Sequence, residues 1–303
     1  MLDQTLQKYS IKTRIKPLNL FSITISFFFI IFLTNNIRFT KSYALIYSGC
    51  SQEKYQANSP YQTNLNSMLS SITGSSYTTL YNSFTLGTDP SIASPEGSVY
   101  GLYQCRGDLN LKGCSTCIAS SINQIVLLCP YTYGATLQLD GCFVRYEHVD
   151  FLGKPDTNFV HKKCSKRLLN DDEFLRRRDD ILDDLRGAVG FRVSSVGSVE
   201  GYAQCLGDLT GEDCSSCLGN AVGKVRSLCG SAAAADVFLA QCYVRYWESG
   251  YYDTSSDSSN EDDVGKTVAI IVGVSAGVAV FIVLLSFCKK AFGKQLNSSL
   301  LIV

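Results

Sequence analysis

Hydrophobic and polar positions divide the chain into two uncharged apolar runs near its ends and a long middle of short periodic segments. Residues 18–33 are rich in Phe and Ile and follow Lys8, Lys12, Arg14 and Lys16. A basic flank before a short apolar run is the pattern of a secretory leader, and Ser42 and Ala44 offer a small-residue cleavage site. Residues 1–44 are therefore predicted to be a signal peptide. An uncleaved anchor is the rival reading, although so short a run spans a bilayer poorly. Residues 267–287 carry no charge over 21 positions, close to the roughly 20 needed to cross the hydrocarbon core. They are predicted to form a transmembrane helix. Glu261, Asp262 and Asp263 precede that run, and Lys289, Lys290 and Lys294 follow it. This asymmetry places the C-terminus in the cytoplasm, giving a type I single-pass protein. The tail, 288–303, is too short to form a domain.

The middle shows two helical and several strand patterns, each occurring twice. Ser59-Pro60-Tyr61-Gln62 reads as a capping box with Pro at the first helical position, followed by a stripe of Leu65, Met68, Leu69 and Ile72. Phe174, Ile181, Leu182 and Leu185 make the same stripe amid many charges. A second helix has Ile118, Ile122, Ile125, Val126 and Cys129 on one face, mirrored by Leu218, Val222, Val225 and Cys229. Residues 99–105, 135–140 and 142–146 alternate as strands, as do the segments 100 positions on. The predicted fold class is α+β: two tandem small disulfide-rich domains, each with two helices packed on an antiparallel sheet, plus the transmembrane helix.

Cysteine spacing turns this similarity into a repeat. Cys105, Cys114, Cys117, Cys129 and Cys142 recur as Cys205, Cys214, Cys217, Cys229 and Cys242, each shifted by 100 residues. GLYQCRGDL from Gly101 matches GYAQCLGDL from Gly201, and CFVRY from Cys142 matches CYVRY from Cys242. Cys50 and Cys164 supply a leading cysteine to each copy, so twelve of the 13 cysteines fit three disulfides per domain. The thirteenth, Cys288, lies at the cytoplasmic edge of the predicted membrane helix and suits S-palmitoylation, with a quiet free thiol as the alternative. Six cysteines permit fifteen pairings, and spacing does not choose among them. Zinc held by the Cys-x2-Cys pairs, or thioredoxin-like redox chemistry, is the competing use. Two histidines in the whole chain and an even cysteine count in an exported region weigh against both.

Charge alters the picture further. The chain has 27 basic and 27 acidic residues, which excludes a basic nucleic-acid binder. Between positions 45 and 263 there are 17 Lys and Arg against 26 Asp and Glu, a net of −9. The neutral total thus averages an acidic exported part and basic membrane flanks. Residues 251–266 are rich in Ser and Asp and have no apolar period, so they read as a flexible stalk. The predicted boundaries are 1–44, 45–155 and 156–250 for leader and repeats, then 251–266, 267–287 and 288–303 for stalk, helix and tail.

Cys-x8-Cys-x2-Cys, present as Cys105-Cys114-Cys117 and Cys205-Cys214-Cys217, is the signature of the plant ginkbilobin-like (Gnk2-homologous, DUF26) domain. With two copies, a membrane helix and no room for a kinase, the chain resembles the plasmodesmata-located protein family. The resemblance implies first-to-fifth, second-to-third and fourth-to-sixth pairing in each repeat. That gives Cys50–Cys129, Cys105–Cys114 and Cys117–Cys142, then Cys164–Cys229, Cys205–Cys214 and Cys217–Cys242. It also implies where a mannose site would stand, at Ser51, Thr136 and Glu147 and at Ser165, Asp236 and Trp247. Only Glu147 keeps the residue type of the antifungal lectin branch, so that mannose site is expected to be absent.

Two functions follow from these readings. The resemblance implies a non-enzymatic plasma-membrane protein of plasmodesmata that regulates cell-to-cell trafficking through callose deposition. Its partners would be other plasmodesmal membrane proteins, further copies of itself and viral movement proteins, with no cofactor, metal or nucleic acid. Gly273 and Gly277 form a GxxxG pair that lets two membrane helices approach closely, although small residues are common in such helices anyway. The alternative is a wall-facing carbohydrate-binding or pathogen-perception module, in which Tyr246, Trp247, Tyr251 and Tyr252 stack on sugar rings; packing is the commoner use of such residues. Acidic pairs Asp171/Asp172 and Asp183/Asp184 read as a solvated helix face, and Asp108 and Asp208 as turn residues. His148 and His161 read as inter-domain surface residues. The sequon Asn297-Ser298-Ser299 falls in the predicted cytoplasmic tail, so an unglycosylated ectodomain is expected.

Overall fold

The computed structural model describes residues 43–87 and 97–251. Most of the predicted leader and stalk, and all of the predicted membrane helix and tail, with Gly273, Gly277, Cys288 and the sequon, lie outside them. Among the described residues no helix is long and apolar enough to cross a membrane. Both repeats lie in one compact unit that begins at Leu45.

The first repeat runs β1 (Leu45–Cys50), α1 (Pro60–Ser75), β2 (Tyr81–Leu86), β3 (Val99–Cys105), α2 (Leu111–Leu128), β4 (Ala135–Leu139) and β5 (Cys142–Glu147). The second runs β6 (Phe159–Cys164), α3 (Asp172–Arg186), β7 (Phe191–Val196), β8 (Val199–Cys205), α4 (Gly211–Cys229), β9 (Ala234–Leu239) and β10 (Cys242–Glu248). Each repeat forms a five-stranded antiparallel sheet, ordered β1-β4-β5-β3-β2 and β6-β9-β10-β8-β7. Periodicity identified the three central strands of each sheet and missed all four edge strands. Edge strands such as FVHKKC and YNSFTL bury little of either face and so lose the clean alternation that marks a strand.

Helix starts follow the sequence closely, with one difference. The Ser59 hydroxyl accepts from the Gln62 N–H, as a cap should. The Gln62 side chain, however, accepts from the Asn58 N–H at 2.6 Å, one residue before the cap, so the reciprocal half of the box is displaced. In α2 the predicted stripe is partly wrong. Val126 is 46% exposed, and Ser121 is buried beside Ile118 and Ile125. With 3.6 residues per turn, position 126 has rotated past the face that meets the sheet. The α4 stripe of Leu218, Val222, Val225 and Cys229 is buried throughout.

Helices cover one face of each sheet. Leu65, Met68, Leu69 and Ile72 from α1, and Ile181, Leu182 and Leu185 from α3, are buried, and Met68 presses on Gly101 and Ile181 and Leu185 on Gly201 in the adjacent strands. A Cβ at Gly201 would sit 2.6 Å from the Arg245 carbonyl and 3.1 Å from Ile181, so the close helix approach needs glycine there. The buried phenols cap these cores. Tyr61 donates to the Tyr133 carbonyl and Tyr246 to that of Ala232, both at 2.6 Å, which satisfies the one polar atom each ring carries inward.

The opposite faces of the two sheets meet each other. Register places Tyr47, Gln138, Phe143, Gln104 and Tyr81 in one row across the first sheet, and His161, Phe238, Tyr243, Gln204 and Phe191 in the matching row of the second. Tyr47 stacks on His161 and meets Phe238 edge-on. The two glutamines cross: Gln204 Nε2 donates to the Cys105 carbonyl, and the Gly207 N–H donates to Gln104 Oε1, each at 3.0 Å. Gly107 lies against Phe191 and Gly207 against Tyr81, so closely that a Cβ on either glycine would overlap the ring. The contact has approximate two-fold symmetry, and the loops of the repeated GDL sequence provide its ends. Asp208 is thus more than a turn residue, since its carboxylate accepts from the Gly153 N–H across the linker.

Candidate functional site

Disulfides join Cys50 to Cys129, Cys105 to Cys114, Cys117 to Cys142, Cys164 to Cys229, Cys205 to Cys214 and Cys217 to Cys242. Each Cys-x2-Cys pair therefore sends its two sulfurs to different strands, leaving no dithiol for zinc or for redox exchange. Among the described residues no group of three His, Cys, Asp or Glu is placed to hold a metal.

Three of the four acids in the two pairs are engaged at the surface of α3. Asp171 caps the helix by accepting from the Phe174 N–H, Asp183 pairs with Arg226 at 2.8 Å, and Asp184 with Arg192 at 3.1 Å. Two i,i+4 ion pairs form on the exposed face of α3, Arg177 with Glu173 and Arg176 with Asp180. Arg178 instead turns inward, is buried, and donates to the Gly230 carbonyl at 2.5 Å. Asp108 pairs with Arg106 at 2.6 Å. Of the proposed stacking aromatics, Tyr246 is core and Trp247 packs edge-on to Tyr202. Tyr252 lies outside the described residues. His161 is at the inter-repeat contact, whereas His148 sits against Tyr133 within the first repeat.

The positions implied for a mannose site lie on or beside the sheet face that turns away from the helices. The Ser51 hydroxyl accepts from the Gly134 N–H and donates to the Glu53 carbonyl, so it is spent locally. The Glu147 carboxylate lies over Gly134, where a Cβ would overlap it. Its side chain is only 25% exposed, and burial raises its pKa, with Arg145 and His148 opposing the shift. A carboxyl whose folded pKa is raised prefers its protonated form in the fold. Its contribution to stability is full below the unfolded pKa and is lost as pH rises through the folded pKa. Glu147→Gln is therefore expected to unfold at a higher temperature than the parent at pH 7 and at the same temperature near pH 3. Thermal unfolding across that range is the check, and a parallel pair of pH curves would contradict it.

Thr136, the third position, floors a cleft of about 220 Å³ with Gly49. Tyr47 and Phe143 form one wall, Arg145 another, and Asp156, Asn158 and Val160 from the linker and β6 a third. The Arg145 guanidinium lies 4.2 Å from the Phe151 ring centroid. Its nearest carboxylate is Glu147, 3.5 Å from Nε. That buried Nε has no hydrogen-bond partner among the described residues. Sequence reasoning missed both Arg145 and the cleft, although the CFVRY repeat contains the residue.

The same register in the second repeat is filled. Asp236 and Arg245 form a two-pronged pair at 2.8 and 3.0 Å, and the Arg245 Nη1 donates to the Tyr202 hydroxyl at 2.7 Å. Both side chains of the pair are largely buried. Lys163 stands opposite Asp236 where Gly49 stands opposite Thr136. The recess left between Lys163, Asp236, Arg245 and Tyr251 is about 60 Å³.

Comparison with known proteins places this architecture. The Salt stress response/antifungal family model matches residues 49–149 and 162–249. The chain is 56% identical over 253 residues to plasmodesmata-located protein 8 of Arabidopsis thaliana, covering 83% of this chain and 91% of that protein. It is 41% identical to plasmodesmata-located protein 6 of the same plant, covering 81% and 88%. The crystal structure of the tandem DUF26 ectodomain of the Arabidopsis thaliana cysteine-rich receptor-like protein PDLP8 superposes with a TM-score of 0.66 at 55% identity, over 69% of this chain and all of that one.

Proposed function

Since the chain belongs to the plasmodesmata-located protein family, we propose that it is a non-enzymatic, type I membrane protein of plasmodesmata that regulates cell-to-cell trafficking by promoting callose deposition. The observation that carries this reading is the 56% identity extending over 91% of plasmodesmata-located protein 8, a span that supports a shared domain plan. The fold is consistent with a module that presents surface. Its sheet faces are turned on each other, the twelve cysteines among the described residues are paired, and Asp183 and Asp184 on α3 engage neighbouring arginines. Lateral association through the Gly273 and Gly277 face would gather copies within the pore membrane.

A fluorescent fusion of the full chain, imaged against stained callose, tests the reading. Punctate wall signal coincident with callose, and slower movement of a cytoplasmic dye when the protein is overproduced, are expected. Uniform plasma-membrane fluorescence would contradict it. Gly277→Leu is expected to reduce self-association measured by energy transfer between two fusions, and unchanged transfer would remove the membrane helix from the mechanism.

A further inference from the structure

We propose that the cleft beside Arg145 binds a uronic acid, with the sugar carboxylate paired to the Arg145 guanidinium. This inference stands on the cleft alone and does not depend on where in the cell the protein resides.

The repeat supplies an internal control. In the second copy Arg245 is neutralised by Asp236 and donates to the Tyr202 hydroxyl. In the first copy Arg145 keeps its place on β5, but register puts Thr136 where Asp236 stands and Leu102 where Tyr202 stands. Asp236 and Tyr202 are thus replaced by groups that cannot neutralise the arginine, and Lys163 is replaced by Gly49. The space vacated by the carboxylate and the lysine is the cleft. A guanidinium is always charged and offers five donors in a flat fork suited to a carboxylate, and Glu147 at 3.5 Å meets it only loosely. A cationic group held over an aromatic ring at the wall of an open cleft is a site for an anion from outside.

The other walls narrow the class. Asp156 and Asn158 stand on the linker side, with the Asp156 carboxylate accepting from the Asn158 N–H, and the Thr136 hydroxyl lies on the floor. An anion without donors would meet Asp156 unfavourably, whereas a sugar acid brings hydroxyls that Asp156, Asn158 and Thr136 can each engage. Tyr47 and Phe143 give the apolar side against which a pyranose ring packs. A volume of about 220 Å³ far exceeds the roughly 10–15 Å³ that one water requires.

The test is calorimetric titration of galacturonic acid, galactose and acetate into residues 43–251, the segment whose counterpart in a relative crystallises as an isolated ectodomain. Galacturonic acid is expected to bind at least tenfold more tightly than either control. Thr136→Asp, which rebuilds the carboxylate of the second repeat, is expected to weaken binding at least tenfold without lowering the unfolding temperature. Arg145→Gln is expected to abolish it. Equal affinity for galactose and galacturonic acid, no heat from galacturonic acid, or unaltered binding by either variant would overturn the proposal. Acetate binding as tightly as the sugar acid would overturn the assignment to a sugar.

Discussion

Asp236→Ala is expected to destabilise the second repeat by about 3 kcal/mol, the lower end of the range for removing one partner of a buried ion pair. The Asp236 and Arg245 side chains are only 12% and 14% exposed, so solvent screens the pair little. Without Asp236 the buried Arg245 charge loses its two-pronged carboxylate partner. Thr136→Ala at the matching position of the first repeat faces an open cleft and should change stability by no more than about 0.5 kcal/mol. Denaturant titration of the two variants against the parent gives the contrast directly. Equal losses would mean that the two positions are energetically alike and that the difference between filled and open sites is superficial.

Removing Cys50–Cys129 by alanine at both positions is expected to cost about 4.5 kcal/mol, the largest loss among the first repeat's three disulfides. The loops closed by Cys50–Cys129, Cys117–Cys142 and Cys105–Cys114 span 79, 25 and 9 residues. A loop-closure account then predicts losses of about 4.5, 3.5 and 2.6 kcal/mol in that order. Unfolding of the three double variants, together with the amount of each secreted, measures the series. If Cys117–Cys142, whose sulfurs are both in the core, proves the costliest, packing rather than chain entropy controls the role of these bonds.

Much of the fold was legible because covalent spacing constrains it. The 100-residue offset of five cysteines specified the repeat, and the amphipathic stripes of α1, α3 and α4 specified which faces are buried. The disulfide connectivity came from family resemblance, since spacing allowed fifteen pairings. The contact between repeats was hidden for a physical reason. Tyr47, Gln104, Phe143 and Gln204 sit at the alternate positions that normally face water, and only a second sheet reveals why they are large. Gly107 and Gly207 read as turn glycines, and their closeness to Phe191 and Tyr81 depends on segments far away in the chain. The cleft could have been suspected from Thr136 and Asp236 at the 100-residue offset. The meaning of that difference, however, needs the cross-strand partners Arg145 and Arg245, which spacing alone does not pair.

The glycine-to-ring contacts carry one further consequence. Gly107 and Gly207 are the same residue, Tyr81 and Phe191 nearly so, and each glycine meets the ring of the other repeat. Such a surface is self-complementary, as in an isologous dimer. By carrying both halves on one chain, the protein sets their effective concentration through the linker 148–158, at the millimolar level typical of short tethers. Pairing is then independent of how much protein the cell makes.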